Sequence, residues 1–335
     1  MVTIKDIAKY TSLSPSTVSI VLRGMGEKRK ISEATIEKVM SAAQKLGYTP
    51  NMQSKLLRSN LKGYPVITLL WDSSIRQYNL LRFLDGLHNS ILKNDYHFEL
   101  QIKPYSINHL DEAITERTLL GTNGLIICNA SESDIAFLEN NDFNIPIVLY
   151  NRYSAKYPTI TMNDKDIGRI PAEVFIRHGN KRPAILTSET NFKGMNIREN
   201  TFSSVLNEHG INDISKVIVS DTLAGGYEGG TRLAGLSSLP DCLFCTSDTL
   251  AIGALKAFHE KNISIPDQIE IISIGSGPRD LEEYSIPSLS VVSLPMEAMA
   301  DACLARISSA IATFNYSPDT KEFSSEYLVR ESCPY

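Results

Sequence analysis

Five cysteines spread through 335 residues are too few and too scattered for a disulfide framework, and suit a reducing compartment. No apolar stretch reaches the roughly 18 residues that a membrane helix needs. The amino terminus reads as helices, not as a signal peptide, so no membrane partner is expected and the chain is placed in the cytoplasm. The six histidines show no zinc-ligand spacing, and no metal is expected. Gly225-Gly226 and Gly229-Gly230 lack the Lys-Ser/Thr of a phosphate loop. Gly275-Ser276-Gly277 has Asp280 where a dinucleotide fingerprint needs its third glycine. Cys242 and Cys245 have redox spacing but lie in an apolar strand pattern, where residues three apart face opposite ways. With no catalytic set assembled, the sequence predicts neither an enzyme nor a cofactor.

What the chain does have is a basic head on an acidic body. Residues 1–62 carry 11 Lys and Arg against 4 Asp and Glu, whereas the remainder carries 22 against 34. That asymmetry is the electrostatic footprint of a nucleic-acid binder, which the overall net charge of −5 conceals. Local chemistry divides the head into helices. Thr3 with Asp6 forms a capping-box pattern. Ser14 caps a second helix whose first position is Pro15, so that no needed N–H is lost. The three residues 11–13 between them match a helix-turn-helix turn. Ser32 caps a third helix with Ile36, Val39, Met40, Ala43 and Leu46 at helical spacing, and Gly47 stops it. On the second helix Val18, Val21 and Leu22 form the packing stripe. Ser16, Thr17, Ser19, Ile20 and Arg23 form the opposite face, with short side chains that let a helix approach base edges. An ordinary polar face on a small bundle would explain the helix alone, but not the charge.

From residue 65 onward short apolar strands alternate with helices, the pattern of parallel α/β sheets. Strands are expected at 66–71, 98–103, 124–128, 145–150, 182–187, 216–220, 241–246 and 269–274, and helices include 80–94, 167–178, 197–209 and 249–261. Two sheets separated near 152–157 would form two lobes, with ligands at the carboxyl ends of the strands between them.

Three words of sequence, in order, carry a resemblance: Thr-Ile-Lys-Asp-Ile-Ala at 3–8, Ser-Pro-Ser-Thr-Val-Ser at 14–19 and Leu-Gly-Tyr-Thr-Pro-Asn at 46–51. Residues 3–58 resemble the DNA-binding head of the lactose/galactose repressor (LacI/GalR) family. Thr-Ser-Asp-Thr-Leu-Ala-Ile-Gly-Ala-Leu at 246–255, the stretch 198–202, Ile-Pro-Asp at 265–267 and Pro-Ser-Leu-Ser-Val-Val at 287–292 extend it to that family's effector core, itself similar to periplasmic sugar-binding proteins. The resemblance implies an α/β fold: a helix-turn-helix head (1–50), a hinge helix and linker (51–63), and a two-lobed periplasmic-binding-protein-like core of parallel sheets (64–335) that binds effector and dimerises.

By that resemblance Pro15, Ser16 and Ile20 read bases, while Thr17 and Ser19 lie near phosphates. Thr3, Arg23 and Asn51 join them at the DNA, and Leu57, with Leu56 beside it, wedges into the minor groove. Ile20 departs from the polar or basic reader usual there. An Ile can touch only a thymine methyl, so a T·A pair is expected opposite it. Arg198 and Asp248 correspond to pocket residues that bond ligand hydroxyls. Asn151 stands where an Asp is common, and Trp71-Asp72-Ser73 should line the same cleft. Trp71 could stack on a ligand or fill the lobe's core. No aromatic occurs around Ser220-Asp221-Thr222, and Gly275-Ser276-Gly277 replaces an acidic pair. The implied protein is a homodimeric, sequence-specific transcriptional regulator, a repressor on a palindromic operator in double-stranded DNA, controlled by a sugar or sugar derivative. The alternative is a sugar-binding receptor without DNA regulation, which would have no need of the basic head.

Overall fold

The computed structural model describes residues 4–22, 26, 29–46, 64–72, 77–189, 192–313 and 316–334. Thr3, Arg23, Gly47, Asn51, Leu56, Leu57 and Ser73, all named above, lie outside them. The head is three helices, α1 (Ile4–Thr11), α2 (Pro15–Leu22) and α3 (Glu33–Lys45). The Ser14 hydroxyl accepts the Thr17 N–H at 3.0 Å, the expected cap. Ile7, Ala8, Val18, Val21, Val39, Ala42 and Ala43 close the small core. Met40, expected among them, is 53 % exposed. Ala42 takes the inward place because an eight-residue α1 and α2 cover only a narrow stripe of α3.

The core begins with β1 (Val66–Asp72), α4 (Gln77–Asn94), β2 (Glu99–Tyr105), α5 (Leu110–Ala113), α6 (Glu116–Gly121), β3 (Gly124–Cys128), α7 (Glu132–Asn140), β4 (Ile147–Tyr150) and β5 (Thr159–Met162). It continues with α8 (Asp164–His178), β6 (Pro183–Ser188), α9 (Lys193–Glu208), β7 (Ser215–Val219), α10 (Leu223–Ala234), β8 (Cys242–Cys245), α11 (Asp248–Glu260), β9 (Glu270–Gly275), α12 (Arg279–Glu283), β10 (Ser290–Ser293), α13 (Met296–Thr313), β11 (Thr320–Phe323) and β12 (Glu326–Leu328). One sheet runs β11-β5-β4-β3-β1-β2 and the other β12-β10-β9-β8-β6-β7. Every pairing is parallel except β10 with β12.

The inner strands, such as β1, β3, β4, β6, β8 and β9, are buried on both faces, which is why they read as continuous apolar runs. On β3, Ile126 and Cys128 join one cluster while Leu125 and Ile127 join another. On β8, Cys242 and Phe244 face one way, Leu243 and Cys245 the other. The Cys-x-x-Cys therefore straddles the sheet, and all five cysteines are buried and free. Each fully buried Leu, Ile or Phe of these strands contributes roughly 1.5–3 kcal/mol by leaving water. The paired glycines of α10 also have a packing reason. A Cβ on Gly226 would lie 2.3 Å from the Leu250 carbonyl, and one on Gly253 the same distance from that of Leu223, so α10 and α11 pack backbone to backbone.

The division between lobes does not fall at 152–157. The chain first crosses after β5, returns between β10 and α13, and crosses again between β11 and β12. The polar Thr-Ile-Thr-Met of β5 and the short β10 to β12 carry too little apolar signal to stand out, and β5 gains its second strand partner, β11, from about 160 residues further along the chain. Arg82 of α4 pins the second crossing: its guanidinium donates to both carboxylate oxygens of Glu297 at 2.8 Å and to the Leu294 carbonyl at 2.9 Å.

Candidate functional site

Both sheets change strand order between the first strand of a lobe and the third, at β1/β3 and at β6/β8. Crevices at such points, beyond the carboxyl ends of strands, are where open α/β sheets bind ligands. In the N-terminal lobe, β1 and β3 stay in register to Trp71 and Cys128, and the next residues are Asp72 and Asn129. Asp72 is fully buried. Asn129 and Asn151, each just past a strand end, hold left-handed backbone at φ 61° and 52°, a conformation asparagine tolerates better than most residues. The Asn129 side-chain amide nitrogen is buried without a partner. Trp71 is 3 % exposed and packs on Phe83, ring centroids 5.7 Å apart. It fills the lobe's core, although its indole N–H is also unpaired.

In the C-terminal lobe, Arg198 on α9 has no exposure at all. Its Nε donates to Asp164 at 2.7 Å, and the Tyr153 hydroxyl donates to the same carboxylate at 3.0 Å. Asp164 is well placed because Asn163 caps α8 through the Asp166 N–H. Both terminal nitrogens of Arg198 are buried without any hydrogen bond. Leaving a buried cation's donors unmet is costly, so the open fork marks a place for an acceptor. Asp248 is the first residue of α11, behind the Ser247 cap. Its carboxylate accepts N–H groups of Thr249 at 2.8 Å, Ser276 at 3.2 Å and Gly277 at 2.5 Å. The Gly-Ser-Gly turn thus supplies amides to an acid. Burial raises the Asp248 pKa, opposed by those three amides.

The lobes touch along this edge. The Arg152 guanidinium lies 4.4 Å from the Phe192 ring centroid, Lys193 Nζ 5.2 Å from that of Tyr153, and the Lys193 N–H donates to Glu132 at 3.3 Å. Asn129, Arg152, Tyr153, Asp164 and Phe192 were not foreseen in the sequence. Only Asn129 had a local signal, as a polar residue directly after an apolar strand; Arg152 stands two residues past the end of β4. Beneath the C-terminal edge, Glu282 is buried, and burial with the nearby Asp248 pushes its pKa up to about 7 against the pull of Arg330 and Arg82.

In the head, Ser16 is exposed, Thr17, Ser19 and Ile20 are half-buried, and Pro15 is exposed at the start of α2. This leaves one face of α2 open opposite the Val18 and Val21 stripe. Among the described residues no helix is long and apolar enough to cross a membrane.

The chain matches two family descriptions: "Bacterial regulatory proteins, lacI family" over residues 3–51 and "Periplasmic binding protein-like domain" over residues 172–333. A Bacillus subtilis (strain 168) protein described as "Probable HTH-type transcriptional repressor ExuR" is 29 % identical over 343 residues, covering 99 % of this chain and 98 % of its own. The crystal structure of a LacI family transcription regulator from Clostridium acetobutylicum is similar at 29 % identity and TM-score 0.74, covering 79 % of this chain and 99 % of that one. The crystal structure of the lac repressor dimer bound to operator and the anti-inducer ONPF shares the fold at TM-score 0.73 and 18 % identity, over 100 % of this chain and 99 % of that one. Helical head, twin parallel sheets and these matches agree, and the chain belongs to the LacI family of DNA-binding transcriptional regulators.

Proposed function

We propose that this regulator is a homodimeric repressor whose hold on a palindromic operator is set by a small polyhydroxylated effector, a sugar or sugar derivative, bound between the lobes. The observation that carries the effector site is the buried Arg198 fork, with two nitrogens unpaired at the meeting of the lobes. A guanidinium edge offers coplanar donors to adjacent hydroxyls or a carboxylate. Asp72, Asn151 and Asp248 complete the polar set from the other strand ends, and Trp71 backs Asp72 from the core. The protein acts in the cytoplasm, where its DNA is, and performs no catalysis.

The chain divides into a DNA-reading head (1–50), a hinge (51–63) and an effector-binding, dimerising core (64–335). Thr3, Pro15, Ser16, Thr17, Ser19, Ile20, Arg23 and Asn51 face the DNA, and Leu57 is the minor-groove wedge. Two heads on a two-fold site are needed because one reads too few base pairs for useful specificity. Effector and operator are coupled if they favour different lobe closures by a few kcal/mol.

Sequencing the genomic fragments that the purified full-length protein retains tests the DNA half. A shared palindrome with T·A opposite Ile20 is expected, and a fixed G·C pair there would overturn that contact. A thermal-shift panel of neutral sugars and sugar acids tests the other half. The ligand that raises the melting temperature should lose its effect in Arg198→Met and keep it in a protein lacking residues 1–62.

A further inference from the structure

The far end of the C-terminal sheet, away from the cleft, gathers three residues of metal-ligating type. His178 is the last residue of α8, Glu270 the first of β9, and Cys333 lies in the tail. One ligand atom from each lies within 4.8 Å of the others. His178 Nδ1 is 2.8 Å from a Glu270 carboxylate oxygen and 3.8 Å from the Cys333 sulfur. The backbone holds each in place. Gly179, at φ 82°, ends α8 in a left-handed cap and turns the chain immediately after His178. The tail is tied to β9 by the Ile271 N–H donating to the Ser332 carbonyl and the Ser332 hydroxyl donating to the Ile271 carbonyl, at 2.9 and 2.7 Å. Asn180 donates its side-chain amide to the second Glu270 oxygen at 2.5 Å, the kind of outer hydrogen bond that orients a ligating carboxylate. Cys242 sits opposite Glu270 in the β8–β9 register, with Asp241, Glu270 and the Cys333 thiol close to its own.

We propose that His178, Glu270 and Cys333 form a binding site for a single zinc-class divalent cation. Imidazole, carboxylate and thiolate are zinc's ordinary ligands. Bonds of about 2.0–2.3 Å in tetrahedral geometry place ligand atoms roughly 3.3–3.8 Å apart. The His–Cys separation already meets that spacing, and the His–Glu pair needs only to spread by about 0.5 Å as its shared proton leaves. The thiol gives up its proton to solvent as the sulfur–metal bond forms. Burial pushes the Cys333 pKa up to about 12, so the cation, not the surroundings, must stabilise the thiolate. The site lies about 17 Å along β9 from the Gly275-Ser276-Gly277 turn, and is separate from the effector cleft. It would tie helix, sheet and tail together, adding stability by mass action.

Cobalt(II) titration of chelator-treated full-length protein tests this. We expect one equivalent per chain, with tetrahedral d–d bands in the visible and a near-ultraviolet sulfur-to-cobalt band, all bleached by zinc. Cys333→Ser should abolish the sulfur band, and His178→Gln should weaken binding by at least about tenfold, with circular dichroism and operator binding retained as the check on folding. No visible or sulfur band in the wild-type protein at excess cobalt would overturn the proposal. So would a sulfur band that survives Cys333→Ser.

Discussion

At its carboxyl edge the N-terminal sheet ends in Asp72, Asn129 and Asn151, whereas the C-terminal edge carries Arg198 and Asp248. The strand order is the same in both lobes, but the groups are held differently. The N-terminal edge relies on two asparagines in left-handed backbone and a buried amide without a partner. The C-terminal edge fixes its charges first, Arg198 on Asp164 and Asp248 on three amides, and leaves one fork of guanidinium open. A shared topology sets where polar groups can converge. The local capping and pairing chemistry of each lobe decides how rigidly they are held.

The sharpest way to break that contrast is at Arg198. Arg198→Met removes the cation and strands Asp164 with only the Tyr153 hydroxyl. Urea unfolding should show a loss of about 3–5 kcal/mol, the cost of splitting a buried pair. Asn129→Ala in the other lobe should cost far less, and equal losses would erase the distinction.

Glu282 comes next. Burial holds its pKa at about 7 in the folded chain against the ordinary 4.5 of a glutamate, so the folded chain holds a proton that the unfolded chain releases between those pH values. Its stabilising contribution is complete below about pH 4.5 and is lost as pH rises to about 7, roughly 3 kcal/mol in all. Glu282→Gln should flatten that part of the profile of urea midpoints from pH 4.5 to 8. A slope identical to wild type would show that the carboxyl titrates normally.

A smaller effect is expected where α10 meets α11. Gly253→Ala would drive a methyl into the Leu223 carbonyl and the Tyr227 N–H. The cost should be about 1–3 kcal/mol, read in the same denaturation. A neutral result would mean that the helices can separate.

The smallest effect lies in the head. Ser14→Ala removes the α2 cap and should cost about 1 kcal/mol, visible as roughly fivefold faster hydrogen exchange at the Thr17 amide. Unchanged exchange would argue that Pro15 alone starts the helix.

Much of the fold was legible because burial on both faces of a sheet writes itself into apolar runs. The apolar run at 124–128 coincides with β3, and that at 66–71 lacks only Asp72 of β1. The four short strands β5, β10, β11 and β12 are not among the expected ones. Three of them have polar residues at half their positions or more, and each is stabilised by partners distant in sequence or by a crossing of the chain. Arg198 and Asp248 could be picked out by motif, but Asp164, which holds Arg198 from 34 residues away, could not. Met40 fits a helical stripe by spacing, yet it lies outside the width that α1 and α2 can cover.

The sequence by itself determined the basic head, its caps, the alternation of strand and helix, and the family. All of these rest on neighbours within a few turns of chain or on total charge. Only the tertiary structure decided where the lobes divide, that Trp71 belongs to a core, and that the arginine fork stands open. Those depend on burial and on partners tens to hundreds of residues apart, and desolvation acts on a side chain only once the distant chain has closed over it.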